Sequence, residues 1–235
     1  MEGGPLLAKE FVAWSKGYVL FNHITTHIPD APYDDLLDEK GGLGFPFLVF
    51  MDAEGKVLAE HEGARDVAGF QQTGKKLLAL AALQKKFDGG DESVGYDLLV
   101  AQLELALQPI EEVERRVQDL GELAPKQNAK LDPLVTTNEA RGLYLITRKP
   151  DPATNDAAID RAGAMYQAGR VPGGNGSEVT KYWILVGAFA ESKRDAAMLE
   201  TALTAIRPLA KAHPELQPWI DDMDARLAKM KGVGR

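Results

Sequence analysis

"GGLGFPFLVFMDAEGKVLAEHEG", residues 41–63, is the stretch whose reading decides the fold of the N-terminal third. A glycine-rich approach leads to one proline, Pro46, inside an apolar run, "FPFLVFM" (45–51), that has the composition of a strand. "DAEG" (52–55) is a turn, and "KVLAEHEG" (56–63) reads as a second strand. Two strands joined by so short a link are expected to pair antiparallel.

Upstream, "PLLAKEFVAWSK" (5–16) carries apolar residues at 6, 7, 11, 12 and 14, close to helical spacing, with Pro5 suited to a first turn and Gly17 to an end. "YVLFNHI" (18–24) is β-branched and aromatic and is predicted to be a short buried strand. "PDAPYDDLLDEKGG" (29–42) reads as a loop holding one short helix. Downstream, "DVAGFQQTGKKLLALAALQKKF" (66–87) is predicted to be an amphipathic helix, with two glycines weakening its first half.

After "DGGDES" (88–93) the pattern changes to helical periodicity with no run of alternation. Helices are predicted over 93–107, 110–120, 127–147, 153–169, 176–191, 194–211 and 215–231. Their breaks fall at Pro109, at Gly121 with Pro125, at Pro150 with Pro152, in "VPGGNG" (171–176) and at His213-Pro214; Pro133 is a candidate break in the third. Short links between such helices favour antiparallel pairs stacked side by side. The spacing resembles a tetratricopeptide-type helical array, although no repeated 34-residue signature aligns.

Composition bounds the chemistry. The 235 residues are 45% hydrophobic and 26% charged, a globular profile with ample material for a core. A net charge of −8 argues against nucleic acid and anionic membrane as partners. No apolar run reaches the roughly 18–20 residues that span a bilayer. "MEGGPLLAKEF" lacks the features of a secretory signal, so the chain as given is expected to be soluble and cytoplasmic, or exported if a segment precedes it. The cysteine count is zero. That removes disulfides, thiolate nucleophiles, iron–sulfur clusters and thiolate zinc sites together.

The order of these segments resembles the thioredoxin fold. A strand at 18–24 precedes a helical loop and a Gly-x-Pro; a strand, "D-x-x-G-K-V", a second strand, Gly63 and a helix follow. Matching residues are Gly44, Pro46, Phe47, Leu48, Val49, Phe50, Asp52, Gly55, Lys56, Val57 and Gly63, and the resemblance covers residues 1 to about 87. It implies an α/β thioredoxin-like domain at 1–88 ahead of an all-helical domain of stacked pairs at 89–235. It also implies a cis bond at Pro46, and a loop of Gly44, Phe45 and Pro46 that pairs with an extended substrate peptide. The chain departs from the family in lacking the first strand and the Cys-x-x-Cys. It is therefore expected to be an N-terminally truncated or redox-inactive relative of thiol–disulfide oxidoreductases, with no catalytic residue, cofactor or metal of its own. The other reading is an interaction scaffold whose helical domain is the binding surface. Loss of a central strand opens a ladder of backbone groups that cost about 1–3 kcal/mol each if buried unpaired. A polypeptide partner, or a homodimer by strand pairing or swapping, would close it.

Other constellations carry less. His23 and His27 straddle a strand end, about 13 Å apart in extended chain, and read as ordinary histidines rather than a metal pair. "VPGGNGSEVTKYW" lacks a phosphate-loop pattern and reads as a turn with Ser177 capping a helix and Glu178 in its first turn. No G-x-S-x-G accompanies a serine, and His213 precedes Pro214 in a linker, so a serine triad is rejected. Asp221, Asp222 and Asp224 read as a solvated helix face, and Tyr144, Tyr166, Trp183 and Trp219 as packing between helices.

Overall fold

A computed structural model describes residues 5–23, 33, 35–42, 45–61, 63–147, 151–173, 177–211 and 214–232. The chain divides into two compact units, Met1–Leu107 and Gln108–Arg235.

In the first unit a 3-10 turn, Pro5–Leu7, leads into α1 (Lys9–Trp14), and a second 3-10 turn follows at Ser15–Gly17. A one-turn helix, α2 (Leu36–Glu39), precedes the strands β1 (Val49–Met51) and β2 (Val57–Glu60). These pair antiparallel, with Val49 opposite Glu60, Phe50 opposite Ala59 and an irregularity before Met51 opposite Val57. The turn is made by its own residues. The Asp52 carboxylate accepts from the Glu54 and Lys56 amides at 3.1 and 2.8 Å, and Gly55 takes φ 79°, where a side chain would be strained.

The long helix α3 (Val67–Asp88) starts where Asp66 accepts from the Gly69 amide at 2.7 Å, and α4 (Gly95–Leu105) packs back along it. Leu80, Leu98 and Leu105 bury together with Ala59 of the hairpin, and Phe50, Leu77, Leu83 and Ala101 close the cluster.

The thioredoxin-like α/β architecture expected for residues 1–88 is not what forms. The chain is mostly helical, and its described strands amount to one antiparallel pair. Residues 18–23, expected as most of a strand, belong to no ladder; residue 24 lies outside the described residues. The physical reason is that strand composition acts only where a neighbour accepts the ladder bonds and the side chains can pack. Here α3 finds its apolar partner in α4, so helix against hairpin and helix replaces helix against sheet. The unit therefore closes after α4, past the expected boundary at 88–89.

The regular elements described in the second unit are helices, the longer ones being α5 (Ile110–Asp119), α6 (Pro125–Thr147), α7 (Pro152–Gln167), α8 (Ser177–Ser192), α9 (Ala196–Ile206) and α10 (Gln217–Met230). Successive helices pack on one another, and α6 also lies against α8. α8 is apolar around most of its circumference ("YWILVGAFA") and is the central element. Tyr182, Val186, Leu199, Leu203 and Ile206 are fully buried at its contact with α9. α7 and α8 approach closely because Gly163 has no side chain: a Cβ there would stand 2.2 Å from Cγ of Phe189.

Candidate functional site

The features that could receive a ligand in the first unit gather around β1. The Phe45–Pro46 peptide bond that enters it is cis, and both residues are exposed, Phe45 by 66%. Gly44, the third member of the expected peptide-binding loop, lies outside the described residues.

The free side of β1 follows from register. The Leu48 carbonyl accepts from the His61 amide at 2.8 Å, which makes Leu48 and His61 a hydrogen-bonded pair. Alternation then makes Phe50 and Ala59 the next such pair and turns the N–H and C=O of Val49 away from β2. Among the described residues no strand lies on that side. Residues 45–51 also carry no charged side chain, the usual device that keeps an open edge from pairing.

Against β1 lies an aromatic layer. Trp14 stands 4.8 Å from Tyr18, 5.6 Å from Phe11 and 6.1 Å from Phe70 between ring centroids, and Tyr18 lies 5.6 Å from Phe50 of β1. Gly74 on α3 admits the Tyr18 hydroxyl to 3.0 Å of where a Cβ would be. Tyr18 is thus anchored while the residues after it are not: Val19 is 98% exposed, and Leu20 and Phe21 are largely exposed.

His61 holds this layer from behind, and sequence reasoning missed it. It is buried, stacks on Phe70 at 4.3 Å, and offers Nε2–H to the Ala64 carbonyl at 3.0 Å. Its Nδ1 meets the Thr73 hydroxyl at 2.8 Å. Both partners lie on the turn into α3 or its first half, so the ring ties the hairpin's end to that helix. Nothing in "LAEHEGARD" distinguishes this histidine from a surface one; Thr73 is the only local hint, and it is twelve residues away.

In the second unit the buried carboxylate of Glu139 on α6 receives Arg161 Nε from α7 at 2.6 Å and Arg170 Nη2 at 2.5 Å; Arg161 also pairs with Glu114 of α5. Burial works against the Arg161 charge, but the hydrogen bonds to Glu139 and Glu114 outweigh it and hold the guanidinium above its ordinary range. Two anions and two cations neutralise one another, so the cluster joins three helices and offers no net charge to a ligand. Tyr182 on α8 is buried, and desolvation pushes its phenol well above the ordinary tyrosine value.

The other expected residues fall as follows. His23 stacks on Phe21 at 6.5 Å, while His27 and His213 lie outside the described residues. Among the described residues no group of three or more His, Cys, Asp or Glu could hold a metal ion. α8 begins at Ser177, and the turn before it, 174–176, is outside the described residues. Asp222 and Asp224 pair with Arg226 and Arg207, and Asp221 accepts from Gln217, all on a solvated face. Trp183 packs edge-on against Tyr166 at 5.7 Å, and Trp219 closes on Gly187. Lys181 lies 5.5 Å over the ring of Tyr144. No described helix is long and apolar enough to cross a membrane. Comparison of the chain with protein-family models, with curated proteins and with solved structures found no match.

Proposed function

We propose that the protein is an interaction module without chemistry of its own, whose first unit receives a polypeptide in extended form along β1. One observation carries this reading. Of the eleven exposed large apolar side chains among the described residues, eight lie between Leu7 and Phe45; Val19, Leu20 and Phe21 directly follow Tyr18, whose ring packs on Phe50 of β1, and Phe45 leads into β1. The second unit exposes one, Val171. Scattered exposed apolar residues are ordinary, whereas a concentration beside unpaired backbone donors and acceptors suits strand addition. Main-chain groups of Val49 supply affinity, and Phe45 supplies apolar contact. Thiol–disulfide exchange, the activity that the sequence resemblance implies, starts from a thiolate, and the chain has no cysteine. The proposal requires none.

Fluorescence anisotropy with a labelled peptide of alternating valine and threonine tests it. Saturable binding is expected, weakened about tenfold, or ~1.4 kcal/mol, in Phe45→Ser. Absence of binding up to about 1 mM peptide, which corresponds to about −4 kcal/mol, removes the proposal. So does binding that the substitution leaves unchanged.

A further inference from the structure

Resting on that docking reading, we propose that the extended segment received along β1 is residues 18–23 of a second copy of this chain, exchanged reciprocally in a two-fold dimer. One unit holds both halves of the interaction. The edge at Val49 lacks a neighbour among the described residues, and "YVLF" (18–21) has strand composition but no ladder. Where each copy carries the same donor segment and the same acceptor edge, a two-fold axis satisfies both at once and closes the assembly at two.

The attachment is suited to this. Tyr18 is fixed between Trp14 and Phe50, so the free residues leave the unit close to β1. Charge permits the approach: neither 18–22 nor 45–51 contains a charged residue, so two copies of net charge −8 meet where like charges are absent. Donor and acceptor belong to the same chain: Val19, Leu20 and Phe21 are largely exposed, so a second copy brings an uncharged apolar segment to an uncharged edge.

Sedimentation velocity over a range of concentrations tests the inference on the full chain, with the anisotropy assay run alongside. The wild type is expected to dimerise, and Val19→Asp and Leu20→Lys to weaken the dimer about tenfold or more, equivalent to ~1.4 kcal/mol. Both side chains are exposed, so circular dichroism and the urea midpoint of the separated monomers should not change. A synthetic peptide of residues 18–23 should dissociate the wild-type dimer. A wild-type monomer that binds the valine–threonine peptide overturns the second copy as occupant while the docking reading stands. A monomer that binds no peptide overturns both. A dimer indifferent to both substitutions and to the peptide places the interface elsewhere and overturns the inference.

Discussion

At the scale of single residues, the Tyr182 hydroxyl is a buried polar group that costs the second unit stability. It is fully buried, with no hydrogen-bond partner among the described residues. Such a group costs about 1–3 kcal/mol, so Tyr182→Phe is expected to raise stability at neutral pH by about 1 kcal/mol. The pH dependence has a definite sign. Desolvation raises the folded phenol's pKa, so the unfolded chain ionises first, near pH 10, and stability falls as pH rises beyond that. Urea unfolding of wild type and variant near neutrality and near pH 10.5 reads both effects, and the variant should lose less on the alkaline side. A destabilised variant with an undiminished alkaline loss would refute the account. This tyrosine was legible from sequence only as one more aromatic on an apolar helix. Its lack of a partner depends on what α6 and α7 bring to it. His61 teaches the same lesson: its role depends on Phe70, Thr73 and Ala64, which local pattern does not associate with it.

At the scale of elements, local signals were legible where they act locally. Asp52 and Gly55 make the hairpin turn, and the seven helical stretches read after residue 92 each coincide with a helix. What was not legible is which faces meet. "YVLF" has strand composition, yet a strand requires a neighbour, and none is described beside it. Pro133 reads as a break, yet α6 runs through it because residues on both sides bury against neighbouring helices. Since a proline in a helix interior forfeits a hydrogen bond and crowds the preceding turn, Pro133→Ala is expected to stabilise by about 1–3 kcal/mol. A urea midpoint that fell would contradict this. The converse holds at Gly163, where any added Cβ meets the Phe189 ring. Gly163→Ala improves helix propensity by about 1 kcal/mol but forces α7 from α8, and a net loss of about 1–2 kcal/mol is expected in the same measurement. An unchanged or raised midpoint would show that the ring moves aside freely.

At the scale of the whole molecule, the two units have cores of very different size. The second has twenty-one described buried apolar residues in one cluster, whereas the hairpin–helix cluster of the first has four. Opening free energy follows buried apolar contact, so native-state hydrogen exchange is expected to show lower protection in the amides of α1, β1 and α3 than in α8 and α9. Equal protection throughout would mean that the chain opens as a single cooperative body. Composition anticipated the globular character and excluded thiol chemistry, but the division after α4 needed the knowledge that α3 and α4 share a core. The position of Trp14 has an optical consequence. Its indole lies within a few ångströms of Tyr18 and against Phe50 of β1, while Trp183 and Trp219 are packed among helices of the other unit. A strand that settles on β1 is expected to change the polarity around Trp14. The intrinsic emission of the protein should therefore shift to shorter wavelength on docking, with no label attached.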